Sequence, residues 1–164
     1  AKRFIESMTI SYHLYHDLRV SIARIFNTYG PRMKIDDGRV LPTFIKQASM
    51  NKNLTVNGDG NQTRSFCYID DLIDGFLKLM DLEYPYPVNI GNDDEVTIND
   101  IALKLISILN SQSKIIYNKL PKDDPIKRRP DISLAKKILK WNPKINKNEG
   151  FRMLIKYYKK NNLI

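Results

Sequence analysis

Three polar clusters in this 164-residue sequence have residue types and spacings that can do chemistry. The first is Arg24-Ile25-Phe26-Asn27-Thr28-Tyr29-Gly30-Pro31-Arg32, where a short apolar run meets Asn, Gly and Pro. Polar side chains at the C-terminal end of a strand stand where ligands bind in open α/β sheets. An ordinary loop with a Gly-Pro turn uses the same residues, and both readings stay open. The second is Gly58-Asp59-Gly60-Asn61-Gln62-Thr63-Arg64-Ser65-Phe66. Its glycines allow close backbone approach, and the planar fork of Arg64 suits phosphate oxygens. Taken alone, a hairpin turn with a surface arginine is the commoner arrangement. The third is Asp123-Asp124-Pro125-Ile126-Lys127-Arg128-Arg129-Pro130-Asp131. Three adjacent cations between prolines can hold a carboxylate or a phosphate, and Asp124 or Asp131 can equally pair with them in a solvated loop.

Other reactive residue types give weaker signals. His13 and His16 lie three apart without acidic or cysteine partners at ligand spacing, so no metal site is expected. The single cysteine, Cys67, excludes an internal disulfide and reads as a packed strand residue. Its lack of partners suits a reducing, cytoplasmic setting. No glycine-rich phosphate loop occurs anywhere in the chain.

The elements that must position these clusters follow from periodicity. Residues 1–17 read as a helix already in progress, with Ala1, Ile5, Met8, Tyr12 and Tyr15 on one stripe and no N-cap before them. The expectation is that the protein continues upstream. Leu18–Ile25 is predicted as a strand and 27–31 as a loop. Helical spacing resumes over 40–51, and Leu54–Val56 is a short strand. Thr63–Tyr68 alternates like one strand leading to a helix whose apolar face is Leu72, Ile73, Phe76, Leu77 and Met80, capped by Asp70 or Asp71. Val88–Gly91 is a short strand. Thr97-Ile98-Asn99-Asp100 resembles a capping box opening a helix. Lys114–Leu120 is a strand candidate, 121–130 a polar loop, and two helices close the chain around 135–139 and 151–158. Strands alternate with helices throughout, which is an α/β pattern with too few strands for a complete doubly wound sheet.

With 27 basic and 18 acidic residues the net charge is +9, which suits an anionic partner. Exposed aromatics and arginines do not interleave with a basic run, so a nucleic-acid partner is not expected. No apolar stretch reaches the length of a bilayer span, so no membrane segment is expected here.

Taken together and in order, these segments resemble the extended short-chain dehydrogenase/reductases that act on nucleotide sugars. Ala1-Lys2-Arg3 followed by a striped helix is similar to the end of their Tyr-x-x-x-Lys motif. Arg24–Arg32 with Asp37-Gly38-Arg39-Val40, Gly58–Phe66 with Asp70-Asp71-Leu72, Val88–Asn92, and Leu139-Lys140-Trp141-Asn142-Pro143 each resemble the same group. Within it, Asp124–Ile132 looks like the segment of the UDP-glucuronate decarboxylases.

The resemblance implies the C-terminal part of a Rossmann-type fold plus its smaller substrate-binding domain. Residues 1–39 would be the remnant of the dinucleotide-binding domain. Residues 40–164 would be mainly the substrate domain, with the helix and strand near 70–91 as candidates to rejoin the Rossmann sheet. It implies NAD as cofactor, a UDP-sugar substrate and a homodimer built through the first helix. The implied chemistry is oxidation at the sugar's C4, loss of carbon dioxide from the β-keto acid, and reduction to UDP-xylose. Lys2 and Arg128 would be catalytic, with Arg128 at the sugar carboxylate. Lys2, Thr28 and Arg39 would hold the cofactor, and Tyr12, Asn27 and Arg64 the substrate, Arg64 at the diphosphate. The motif's tyrosine falls four residues before Lys2, outside the 164 residues, so the chain by itself is expected to be inactive. A 4-epimerase or 4,6-dehydratase of the same group is the near alternative, and a non-catalytic basic binding module the distant one.

Overall fold

The structure is a computed structural model, which describes every residue except Asp123 and Asp124. In chain order the elements are α1 (Lys2–His16), β1 (Ala23–Ile25), β2 (Thr28–Tyr29), α2 (Val40–Ser49), β3 (Leu54–Asn57), β4 (Thr63–Ser65), β5 (Cys67–Tyr68) and α3 (Ile69–Asp81). There follow β6 (Val88–Ile90), β7 (Glu95–Thr97), α4 (Ile98–Leu109), β8 (Ile115–Asn118), β9 (Lys127–Arg128), α5 (Ser133–Leu139) and α6 (Lys147–Lys160). Three parallel pairs form, β1 with β6, β2 with β5 and β3 with β8. A mixed three-stranded sheet has the order β7-β4-β9. This is a Rossmann-like α/β core with an additional mixed sheet.

Two apolar clusters hold these layers. One joins α2, β3, α4 and α6 through Phe44, Ile45, Leu54, Ile101, Leu105 and Leu154. The other joins α3, β6 and α5 through Leu72, Leu79, Val88, Ile90, Ala135 and Trp141. Trp141 is fixed there because its indole N–H donates to the Asp71 carbonyl at 3.0 Å, meeting the polar need of a buried Trp.

Helix ends follow local chemistry in two cases. Thr97 caps α4, its hydroxyl accepting from the Asp100 amide at 3.0 Å, and Asn146 caps α6 by accepting from the Glu149 amide at 3.0 Å. The α3 start differs from expectation. Tyr68 is its N-cap, without a side-chain cap, and Asp70 and Asp71 fall in the first turn. Asp71 is buried and accepts instead from the Ile145 amide at 2.9 Å, so tertiary pairing overrides the local cap.

Short strands account for the other differences. The run 18–25 is strand only over Ala23–Ile25, where β6 lies opposite. Thr63–Tyr68 divides at Phe66, because β4 pairs β7 and β9 while β5 pairs β2. The 121–130 segment contains a strand, β9, that no apolar alternation announces. Pairing with Thr63 and Arg64 creates it. The α1 stripe is a helix face, but no residue of α1 is buried; Phe4, Ile5, Leu14 and Tyr15 are all exposed.

Candidate active site where β1 and β4 end

Helix α1 is tied to β1 by a two-pronged ion pair. Arg24 donates from Nε and Nη2 to the two carboxylate oxygens of Glu6, at 2.7 and 2.6 Å. Farther along, His13 Nδ1 lies 2.8 Å from the Leu18 carbonyl, and Thr9 and Tyr12 share a groove with Val20. Earlier helix residues therefore meet later strand residues, so α1 runs antiparallel to β1. Lys2 stands one turn before Glu6, on the same helix face. One turn advances about 5.4 Å, nearly two strand residues. Lys2 thus comes level with the C-terminal end of β1, the end that carries Asn27 and Thr28.

Asn27, Thr28, Arg39 and Arg64 line one pocket of about 110 Å³, floored by Leu41 and Phe66. Four residues singled out from the sequence are brought together there. The Thr28 hydroxyl donates to the Phe26 carbonyl at 2.9 Å, which fixes its rotamer. Arg39 precedes α2, and its Nε donates to Asp37 Oδ2 at 2.6 Å across the turn at Gly38. Val40 and Arg64 also line a larger cleft of about 610 Å³ that adjoins the pocket. Its walls come from the start of α2 (Thr43, Phe44), from β3 (Thr55, Asn57) and from Gln62 and Ile98. Thr43, Thr55 and Asn57 carry no separate signal in the sequence, and these walls meet only when β3 and α2 pack together.

Arg64 is 9% exposed, and its Nη1 donates to the Thr63 carbonyl at 2.8 Å. In register it stands directly opposite Arg128 of β9 and Val96 of β7. Paired residues of neighbouring strands project to the same face, about 4.8 Å apart. Arg64 and Arg128 therefore lie side by side on one face of the mixed sheet. Arg128 is exposed and does not itself line either cavity.

The opposite face carries the counter-charge. Glu95 accepts from the Thr63 hydroxyl at 2.7 Å and pairs with Lys127 at 3.2 Å and Arg129 at 3.7 Å. The Thr63 hydroxyl, then Lys127 and Arg129, hold the Glu95 carboxyl below its ordinary range. Asp131 accepts from the Ser133 amide and has no ion pair with Arg128. The suggested partner Asp124 lies outside the described residues.

The remaining sequence candidates lie elsewhere. Tyr12 stands over the groove of Ile5, Met8, Leu18 and Val20, its ring 5.0 Å from that of His16. Cys67 is fully buried, and burial, with Asp71 nearby, pushes its thiol up to about 12. Among the described residues no His, Cys, Asp and Glu cluster can hold a metal, and no helix is long and apolar enough to cross a membrane.

Comparison with known proteins sets these residues in a family. UDP-glucuronic acid decarboxylase 3 of Arabidopsis thaliana is 46% identical over 153 residues, covering 93% of this chain and 45% of its own length. UDP-glucuronic acid decarboxylase 1 of Danio rerio is 43% identical, covering 96% of this chain and 38% of its own. The chain thus spans less than half the length of these curated relatives. Among solved structures, UDP-glucose 4-epimerase of Thermotoga maritima with UDP-glucose superposes with a TM-score of 0.90 at 26% identity, over 95% of this chain and 51% of that one. UDP-glucuronic acid 4-epimerase of Bacillus cereus, in complex with UDP-glucuronic acid and NAD, gives 0.85 at 31% identity, over 95% and 50%. The model of the NAD dependent epimerase/dehydratase family matches residues 1–91, more than half the chain, and the chain belongs to that family.

Proposed function

We propose that this chain is the C-terminal, substrate-binding part of an NAD-dependent enzyme that converts UDP-glucuronate to UDP-xylose through a 4-keto sugar. The observation that carries the reading is the Arg64–Arg128 neighbourhood in the mixed sheet. Two guanidinium groups side by side on one face present several convergent N–H donors, a geometry suited to oxyanions. A nucleotide uronic acid brings two such groups, a diphosphate and a carboxylate. Arg64, at the cleft wall, is assigned the diphosphate, and Arg128 the sugar carboxylate. Guanidinium offers two parallel donors and keeps its charge. Holding the carboxylate too firmly would oppose its departure as neutral carbon dioxide, so the useful role of Arg128 is orientation.

The residues at the end of β1 fit the nicotinamide-ribose end of NAD. By its place one helical turn before Glu6, Lys2 comes level with the end of β1, and Asn27, Thr28 and Arg39 share a pocket there. Lys2, Thr28 and Arg39 would hold NAD, whose contribution there would be reversible hydride exchange with the sugar's C4. Lys2 would bind ribose hydroxyls and, by its charge, favour the ionised form of a tyrosine base one helical turn before it. Asn27 would orient the sugar. We assign residues 1–39 with the α3–β6 unit to the dinucleotide-binding domain and most of 40–164 to the substrate domain. The exposed apolar face of α1 supports a homodimer built through that helix, and the lone cysteine accords with a cytoplasmic setting.

A second reading is 4-epimerisation with the carboxylate retained. It draws on the 31% identity to the B. cereus UDP-glucuronic acid 4-epimerase. The test is to incubate the protein, as encoded, with NAD and UDP-glucuronate and to resolve the products. UDP-xylose with carbon dioxide is expected. UDP-galacturonate without carbon dioxide would establish the second reading. Conversion of UDP-glucose to UDP-galactose, with UDP-glucuronate untouched, would overturn both.

A further inference from the structure

We propose that Glu95 is a positioning residue: by holding Lys127 and Arg129 on one face of the mixed sheet, it sets the register of β9 and turns Arg128 toward the face of Arg64. The inference rests on the proposed role of Arg128 at the sugar carboxylate. It answers a problem posed by the sequence. Three cations stand in a row, Lys127-Arg128-Arg129, of which the two-residue strand β9 holds the first two. A slip of one residue exchanges the two faces of a strand. The backbone resists this weakly, since only a few hydrogen bonds hold β9. They include the Thr63 amide to the Ile126 carbonyl at 2.9 Å and the Ser65 hydroxyl to the Arg128 carbonyl at 3.2 Å.

Charge supplies the missing specificity. In the observed register two cations meet the Glu95 carboxylate, and one, Arg128, stands beside Arg64. In a slipped register Glu95 would face Arg128 alone. The observed arrangement therefore places one more cation against the Glu95 carboxylate. Glu95 can act this way because it is itself fixed. Its Cα is in register with Ser65, its side chain accepts from the Thr63 hydroxyl, and its carbonyl accepts from Lys147 Nζ at 3.1 Å. Nothing about Glu95 requires it to touch the substrate.

The experiment is calorimetric titration of the protein as encoded with UDP-glucuronate and with UDP-glucose. The variants are Glu95→Gln, Glu95→Ala, Arg128→Ala and the double variant Glu95→Gln/Arg128→Ala. Glu95→Gln keeps the shape and the Thr63 contact, so it decides the matter if Glu95→Ala does not fold. UDP-glucuronate affinity should fall about tenfold or more in Glu95→Gln, while UDP-glucose affinity stays within about twofold. Adding Glu95→Gln to Arg128→Ala should cost nothing further, because the arginine to be positioned is gone. Equal losses for both sugars, or losses that multiply in the double variant, would overturn the positioning role. Failure of the underlying reading shows elsewhere. If wild type does not bind UDP-glucuronate, or if Arg128→Ala with Glu95 intact leaves that affinity unchanged, the carboxylate role falls and the positioning role with it.

Discussion

Gly75 sits in the middle of α3, where replacement by alanine should favour the helix by about 1 kcal/mol. The packing predicts the opposite result. A methyl at Gly75 would lie 2.8 Å from Ile90 Cγ2 and 3.1 and 3.2 Å from Trp141 Cε2 and Nε1. Neither neighbour can give way cheaply. Ile90 is fixed in β6 by its pairing with Ile25, and Trp141 by its bond to the Asp71 carbonyl. Overpacking a filled core costs about 1–3 kcal/mol, and contact with two fixed groups argues for the upper part, about 2–3 kcal/mol. Subtracting the helix gain leaves a net loss of about 1–2 kcal/mol. For a domain of this size that lowers the midpoint of thermal unfolding by about 2–8 °C. Circular dichroism melts of wild type and Gly75→Ala, with urea unfolding for the free energies, measure it. A variant as stable as wild type, or more so, would show that α3 and β6 are not in the tight contact on which the position of β1 depends.

Four other outcomes are expected. Arg64→Ala should weaken UDP binding by roughly ten- to hundredfold, from about 1.5–3 kcal/mol for hydrogen bonds to a charged group, and unchanged affinity in calorimetry would contradict its assignment. Thr97→Ala should cost about 0.5–2 kcal/mol in urea unfolding through loss of the α4 cap. Cys67, fully buried with its thiol pushed up to about 12, should resist thiol reagents at neutral pH in the native protein and react only on unfolding. Because the Glu95 carboxyl is held below its ordinary value of 4.5, its stabilisation is complete above that value and is lost as pH falls through the lowered one. Glu95→Gln should therefore be less stable than wild type at neutral pH, and the difference in urea midpoint should vanish under strong acid.

Elements with their own apolar face were legible in the sequence. Leu72, Ile101, Leu105, Leu154 and Tyr158 recur at helical spacing and are buried, whereas Ile73, Leu77 and Met80 of the expected α3 face are exposed, and Leu79 is buried in their place. What periodicity could not show is pairing between short distant segments. Residues 28–29, 95–97 and 127–128 become strands only because Cys67–Tyr68 or Thr63–Ser65 lies alongside. The same limit applied to the site. Asn27, Thr28, Arg39 and Arg64 are polar groups at turns and strand ends, conspicuous by type and position. Thr43 and Asn57 look like ordinary surface positions until α2 and β3 form one wall. The opposite facing of Arg128 and its two neighbours was also hidden, since a charged triplet between prolines carries no sign of strand alternation.

The location of the pocket follows from how two strands change partners. Between Ile25 and Thr28 the chain leaves β6 and takes up β5. Between Ser65 and Cys67 it leaves β7 and β9 and takes up β2. At each switch the ladder is interrupted, and the residues there are not shared between two neighbours. Such switch points open crevices at strand ends in α/β sheets. The two interruptions are fastened to one another, because the Cys67 amide donates to the Asn27 carbonyl at 2.9 Å. Asn27 and Phe66, one from each switch, consequently line the same pocket, with Arg64 beside them. The bond that joins the switches uses backbone atoms only. The crevice is thus closed by main-chain atoms, and the side chains of Asn27, Thr28 and Arg64 line it.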